Sequence, residues 1–428
     1  MPKNIVICCD GTGNEFNPQS NSNVVKLRST LVINQHQVSY YHPGVGTMGA
    51  PNASTWRQKQ WTRIKGLAFG AGLFEDVGRA YQYLMHNYND YPVDGQTIHD
   101  RVYLFGFSRG AYTARALASL LKMFGLLHPG NEAHIPYVLR MFERRHKENH
   151  RALLDEAKQF QEVFSRPCFI HFAGLWDTVS SVGWVTEPVR LPYTARNPII
   201  ANVRHAQSID ERRISFRQNS FTRLCKGDDL GDGSTSPITQ DFKQVWFAGV
   251  HSDVGGSYTP DKSGLSQIAL EWMLVEAESR GLLLYPDKVK SVLCYSPPDS
   301  PCAPNPVADL NISLCGAWWI LEYLPHKSWN YETKRPECQC LPRGSPRPIS
   351  PGPGLRETVP LRLRKQMDPN APPPRIHETV RLRWEKRTDY RPENLPILPP
   401  KETDEPWVRY TPGEMSREIS RSTPTPDA

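Results

Sequence analysis

The stretch "VYLFGFSRGAYTARALASLL", Val102 to Leu121, decides how the chain is read. Val102 to Phe105 is a short apolar run with the character of a buried strand. Tyr112, Ala116, Leu117, Leu120 and Phe124 then recur at helical spacing. Between them sits Gly106-Phe107-Ser108-Arg109-Gly110, which fits G-x-S-x-G, the tight strand-to-helix turn that lifts a serine oxygen out of a sheet. Glycines suit such a turn because it is strained and neighbouring chain passes close. An ordinary turn can carry the same residues by chance, but the strand before and the helix after favour a nucleophile at Ser108.

Strand-like and helix-like segments alternate outward from this point. "KNIVICCD" is a continuous buried strand ending in a polar glycine loop, and "SNVVKLRSTL" reads as a helix capped by Asn21 or Ser22. "QVSYYHPGVGT", "CFIHFAGLWDT" and "KQVWFAGVHSDVGGSY" are further strand-plus-loop units. "GLFEDVGRAYQYLMHNY" and "GLSQIALEWMLVEAESRGL" are helical. "HAQSIDERR" also reads as helical, with His205, Asp210, Arg212 and Arg213 in internal ion pairs. The polar helical stretch from Tyr137 to Phe164 is expected to be an outer or lid layer over Ser108. Strands alternating with helices predict an α/β protein with a doubly wound, mostly parallel sheet covered on both faces.

The composition changes after about Tyr331, and roughly half of the 39 prolines fall in the final quarter. The expected organisation is a catalytic domain over residues 1–330 and a Pro-rich, largely irregular tail over 331–428, with a candidate docking helix near 376–386.

Several classes are disfavoured. Hydrophobic residues make up 39% of the 428, and no run of about 18 apolar residues predicts a membrane span. The N-terminal "MPKNIVICCDGTGN" does not read as a signal peptide, so a cytoplasmic setting is expected. The nine cysteines are scattered and suggest neither zinc nor a disulfide framework. The formal charge of +7 gathers partly in the late arginines of "RETVPLRLRK" and "HETVRLRWEKR". A solvated surface is the simpler account of these, with contact to an anionic membrane as the alternative. No nucleic-acid motif is present, and no nucleic-acid partner is expected.

A serine hydroxyl needs a base, and the base needs a group that fixes its tautomer. The order Ser, Asp, His along the chain suits strands that deliver each residue at a carboxyl end. His251 closes the apolar run "VWFAGV" and opens a glycine turn. Asp177 ends "CFIHFAGLWD". Asp253 is a rival acid, but two residues from His251 it is better placed to brace the loop. Asp10-Gly11-Thr12 follows the first strand, where Gly11 or Thr12 can bring an amide beside Ser108. With the N–H of Arg109 this would form an oxyanion hole. Asp10, Gly106 and Gly110 are supporting residues. Two other readings remain open: a metal-assisted phosphoesterase using Asp10, Asp177, His251 and Asp253, and a non-catalytic binding module. The serine reading requires no cofactor and no metal ligand.

"CDGTGN", "YYHPGVGT", "LFGFSRGAYTARALASLL", "GLWDTVSSVG", "HAQSIDERR" and "WFAGVHSDVGGSY" occur in this order. Together they resemble the α/β-hydrolase-like domain of the type VI secretion phospholipase effectors and their relatives, fungal ones included, over about residues 3 to 330. The resemblance implies the same triad: Ser108 of GFSRG, Asp177 of W-D-T-V and His251 of H-S-D-V-G-G. It implies an ester or phospholipid substrate, since the bacterial effectors cleave glycerophospholipids. Ser257 departs from the pattern where a third glycine would stand. The effectors' membrane-anchoring additions are not apparent, and a Pro-rich segment stands in their place.

Overall fold

The computed structural model describes residues 2–11, 20–44, 71–93, 95–144, 150–179, 183–184, 187–188, 191–230, 233–295, 300, 302–316, 318–323, 327–330, 335–338, 344–349, 374–395 and 407–408. Its centre is an eight-stranded sheet in which every neighbouring pair is parallel. In chain order the strands are β1 (Asn4–Cys9), β2 (Gln37–His42), β3 (Arg101–Phe107), β4 (Ile170–Trp176), β5 (Ile200–Ser208), β6 (Asp241–Phe247), β7 (Arg375–His377) and β8 (Trp407–Val408). Across the sheet they run β2-β1-β3-β4-β5-β6-β7-β8. The chain moves outward from β1 to β2 and then crosses to β3 on the other side. This makes a topological switch point between β1 and β3, the place where loops diverge at the carboxyl edge and ligands enter doubly wound sheets.

The six residues of β1 are all buried. A parallel sheet with helices on both faces leaves no solvent side, so its strands read as continuous apolar runs. Side chains still alternate between faces. Ile5, Ile7, Cys9, Val102 and Leu104 enter the core beneath α2 (Ala71–Asn87) and α3 (Arg109–Phe124). Val6, Cys8, Tyr103, Phe105 and Phe107 enter the core on the opposite face, with α1 (Asn23–Thr30), the short α6 (His251–Gly255) and α7 (Gly264–Glu278). Helix α1 starts at Ser22, whose side chain accepts from the Val25 N–H at 3.3 Å. Helix α7 is buried on nearly all sides, which explains why its apolar residues show little one-sided periodicity.

Four expectations change. The stretch from Tyr137 to Phe164 forms α4 (Ile135–Arg144) and α5 (His150–Phe164), but its apolar residues Val138, Met141, Phe142 and Phe160 are buried in the core. Phe142 and Phe160 pack edge-on against Phe124, the last residue of α3. That is sixteen helical residues, about 24 Å, from Ser108, so these buried rings brace the far end of α3. "HAQSIDERR" is not helical: His205 to Ser208 complete β5, and Asp210 to Arg213 form the loop beyond it. The strand is buried on both faces, so the polar alternation expected of a strand is missing. Cys294 and Cys302 form a local disulfide, with Cα atoms 5.8 Å apart.

The fourth change concerns the Pro-rich region. A helix does form, over Glu378–Lys386, and β7 immediately before it pairs Arg375 and Ile376 with Val245 and Trp246 of β6. Ile349, Ile376, Val380, Tyr390 and Leu395 build a third apolar cluster with Ile209, Trp246 and Ala248. A three-residue strand that directly follows three prolines is too short for its period to show in the sequence. Several late arginines are also used inside the fold: Arg383 is buried and donates to the carbonyls of Pro306 at 2.9 Å and Ala308 at 2.6 Å. The Arg356–Lys365 run lies outside the described residues. Among the described residues no helix is long and apolar enough to cross a membrane.

Ile376→Ala should lower stability by about 2–5 kcal/mol, the cost of emptying a buried aliphatic site. Urea unfolding would show this, and a change under about 0.5 kcal/mol, the size of an ordinary surface substitution, would mean that the 374–395 segment is not part of the cooperative core. Protonation gives a second expectation. Burial holds His205 down at about 3, with Arg115 adding to the effect, and His377 at about 3. The unfolded chain takes up these protons below about pH 6.5, so this share of stability is complete above that pH and is lost as pH falls toward 3. Asp210, pushed up to about 6 by burial, has the opposite sign and loses its share as pH rises through 6. The urea midpoints of wild type and His205→Gln should therefore converge as pH is lowered, and a constant gap would contradict the assignment.

Candidate active site

The register of the sheet sets the site. Cys9 of β1 lies opposite Gly106 of β3, and Phe107 lies opposite Trp176 of β4. Asp10, Ser108 and Asp177 therefore leave neighbouring strands side by side at the carboxyl edge. Ser108 sits at φ 58°, a left-handed conformation that L residues seldom adopt. The two glycines make it possible. A Cβ on Gly106 would stand 2.6 Å from the Ala111 Cα, and one on Gly110 would stand 2.2 Å from the carbonyl oxygen of Cys9 and 2.4 Å from that of Asp10. The end of β1 thus rests directly on the first turn of α3.

Ser108, Asp177 and His251 converge, although 143 sequence positions separate the serine from the histidine. Ser108 Oγ lies 2.8 Å from His251 Nε2, and His251 Nδ1 lies 2.5 Å from Asp177 Oδ2. All three are buried, with Ser108 7% and His251 4% accessible. The imidazole is held between Phe107, at 4.6 Å between ring centroids, and the edge-on ring of Phe216 at 4.8 Å. Burial lowers the His251 pKa below its ordinary value, with Asp177 opposing the shift. Its ring is thus neutral near pH 7 and able to accept a proton. Burial alone would raise the Asp177 pKa, but the guanidinium of Arg347 and the bond from His251 outweigh it and hold the carboxyl well below the usual carboxylate range.

Asp253 has a different place. It is buried, and its carboxylate accepts from the Val250 N–H at 3.0 Å and the Asn311 side chain at 2.6 Å. It braces the turn that carries His251. Asp10 accepts from Ser22 Oγ at 2.6 Å, Tyr41 Oη at 3.0 Å and the Gly11 N–H at 2.6 Å. With their carboxylates directed to these groups, Asp10 and Asp253 do not converge with Asp177 and His251. Among the described residues no group of three or more His, Cys, Asp or Glu side chains is arranged to hold a metal ion. Arg109 opens α3 directly after Ser108, and Thr12 lies outside the described residues. Trp318 is half-buried against Phe216, and Trp319 is exposed.

Residues 3–276 match the model of a protein family described as the type VI secretion system phospholipase effector Tle1-like catalytic domain. The chain belongs to this family. It is 34% identical over 234 residues to an uncharacterised protein of Saccharomyces cerevisiae, covering 52% of this chain and 33% of that one. Among solved structures, an uncharacterised protein from Pseudomonas aeruginosa is similar at 21% identity and a TM-score of 0.40, covering 71% of this chain and 49% of that one. The Tle1 effector bound to the VgrG spike of the type VI secretion system is similar at 19% identity and a TM-score of 0.33, covering 62% and 53%. The chain thus spans about a third of the length of the yeast relative and about half of each of these structures.

Two groups at the site were missed in the sequence. Glu211, in the loop after β5, accepts from the His251 backbone N–H at 3.1 Å and forms a buried two-bond ion pair with Arg213 at 2.9 and 3.0 Å. Burial raises its pKa, but Arg213 more than offsets this and the carboxyl is held at about 2. Of the residues expected to form internal ion pairs in "HAQSIDERR", Arg213 does so, with Glu211, whereas His205 bonds Gln244 and Thr178, and Asp210 bonds the Gly249 N–H and Tyr390 Oη. Arg347 is the other group. It stands in "LPRGSPRPIS", a stretch in which neither spacing nor composition marks one arginine above its neighbours.

Gly110→Ala tests the close approach. Both obstructing atoms are backbone, so no side chain can yield, and the variant should melt far below wild type or fail to fold. Circular dichroism melting would show this; an unchanged melting temperature would mean that β1 and α3 are not in this contact.

Proposed function

We propose that the chain hydrolyses carboxylic esters, with phospholipids as the first substrate class, through Ser108, His251 and Asp177 and an acyl-enzyme. One observation carries this reading: a serine in the left-handed conformation at the switch point, bonded to a neutral histidine that is itself bonded to an ionised, buried aspartate. Membership of a phospholipase-effector catalytic family supports the substrate class.

The geometry supports the following roles. As Ser108 Oγ attacks the ester carbonyl, its proton passes to His251 Nε2. The imidazolium that forms is stabilised by Asp177, which also keeps Nδ1 protonated and Nε2 free to accept. The carbonyl oxygen becomes an anion and needs N–H donors placed in advance. The Arg109 amide, first in α3, is one. The second is proposed to come from Thr12 in the chain after β1, because the single N–H of Gly11, the other expected donor, is already given to Asp10 Oδ1. His251 then returns its proton to the leaving alcohol, and a water activated by the same imidazole releases the acid. A glycerophospholipid presents two such acyl esters, both on its glycerol. Contact with anionic membrane is proposed as a peripheral aid to binding.

The test is labelling with a fluorophosphonate probe and turnover of short-chain esters and phospholipid vesicles. Ser108→Ala should abolish both while leaving the melting temperature nearly unchanged. Labelling that persists in this variant would sink the serine mechanism. Asp177→Asn should reduce kcat by about 10⁴ through loss of the correct tautomer. Asp253→Asn should act mainly on stability, by about 1–3 kcal/mol, and the reverse ranking in kcat would mean that Asp253 is the acid. The pH profile has a sign as well. With the His251 pKa lowered, kcat/KM should fall only as pH drops below about 6.5, and loss of activity starting above that would contradict a neutral base.

A further inference from the structure

The family match ends at Glu276, and Arg347 lies well beyond it, outside every motif quoted from the sequence. Yet this arginine touches the triad directly. Its side chain is 1% accessible. Its Nη1 donates to Asp177 Oδ1 at 2.5 Å and to Ser208 Oγ at 2.8 Å, and its Nη2 donates to Asp177 Oδ2 at 2.9 Å. Its Nε donates to the Phe216 carbonyl at 2.9 Å, and Nη2 reaches the same oxygen. The guanidinium is a planar fork with five N–H donors, and here it meets both oxygens of one carboxylate.

We infer that Arg347 is the positioning residue of the triad, its fork fixing the Asp177 carboxylate in the plane that aims Oδ2 at His251 Nδ1. Its catalytic meaning rests on the serine-hydrolase reading above. Ser208 already satisfies Asp177 through its N–H at 2.9 Å and its Oγ at 3.1 Å, so the arginine is not needed merely to supply a donor. A two-point contact adds resistance to rotation of the carboxylate, which a single donor lacks. Arg347 is itself held: Asn394 donates to its carbonyl at 3.0 Å, and Gln218 donates to that of Pro348 at 2.9 Å. The Phe216 whose carbonyl receives the guanidinium also lays its ring edge-on to His251. Asp177 is faced by His251, Arg347 and the neutral His205, and His251 is faced by Asp177, Glu211 and Arg213. Removing Arg347 takes one cation from this cluster, so the Asp177–His251 pair binds a proton more readily.

The test compares wild type, Arg347→Met, Arg347→Lys, Asp177→Asn and the Asp177→Asn/Arg347→Met double variant in the full chain. Two readouts are followed against pH: the rate of fluorophosphonate labelling and the downfield proton resonance of the His251 ring. Arg347→Met should label about a hundredfold more slowly, the scale expected for a misaligned group. Its His251 midpoint should rise by about one pH unit. Arg347→Lys keeps the charge, so its midpoint should stay near that of wild type, but without the fork it should recover only part of the rate. In the Asp177→Asn background, Arg347→Met should change labelling less than about twofold, because the arginine acts through the aspartate. If Arg347→Met fails to fold, the lysine and double variants carry the test. A folded Arg347→Lys that matches wild type in rate and midpoint would overturn the inference, as would a further large loss of rate in the double variant. A wild type that does not label, with the resonance still shifting in Arg347→Met, would reject the hydrolase reading and leave the hold of Arg347 on Asp177 standing.

Discussion

A carboxylate cannot stay ionised in a closed interior unless its charge is answered there. Asp177 is 1% accessible and meets that condition with Arg347, Ser208 and His251. Three remote parts of the chain are thereby tied to one group. The end of β5 supplies Ser208, the turn after β6 supplies His251, and the Pro-rich region supplies Arg347. A second buried pair, Glu211 with Arg213, stands beside the first and holds the backbone of the same histidine. Two carboxylates and two guanidinium groups balance one another around an imidazole that is left neutral.

The other side of the site is governed by volume. Where Asp177 is fixed by charge, Ser108 is fixed by the absence of atoms at Gly106 and Gly110. The histidine turn uses the same device: a Cβ on Gly255 would fall 1.8 Å from the ring of Phe107, and one on Gly256 would fall 2.7 Å from the Asn23 N–H nitrogen. Gly256 also bridges to Ser22, the cap of α1, whose hydroxyl binds Asp10. The turns carrying the serine and the histidine thus both close onto the end of β1 and the start of α1.

Much of this was legible beforehand for a physical reason. Buried parallel strands are unbroken apolar runs, and each ends in a polar turn, so β1, β3, β4 and β6 could be read together with the residues that terminate them. Ser108, Asp177 and His251 were chosen as strand-ending residues, and the structure brings those three together. β5 failed because "RHAQS" is polar, and its polar side chains are satisfied inside the fold: His205 by Gln244 and Thr178, Arg204 by Glu276 and Asp241. Tertiary partners of that kind leave no periodic trace. The Tyr137–Phe164 stretch reads as helical and two helices form there, but helical character does not say which surface receives the apolar residues. Arg347 was invisible because its importance comes from where the chain returns, and a proline-rich segment carries no pattern that states it.

The dependence of Asp177 on Arg347 also has a consequence in time. Arg347 follows Asp177 by 170 positions. At ordinary rates of synthesis that interval is roughly ten to thirty seconds. Throughout it the growing chain has its serine and its aspartate but not the cation that answers the aspartate's charge. A nascent chain is therefore held short of the finished arrangement until six of the eight strands of the sheet have been made and the segment that follows β6 has been added.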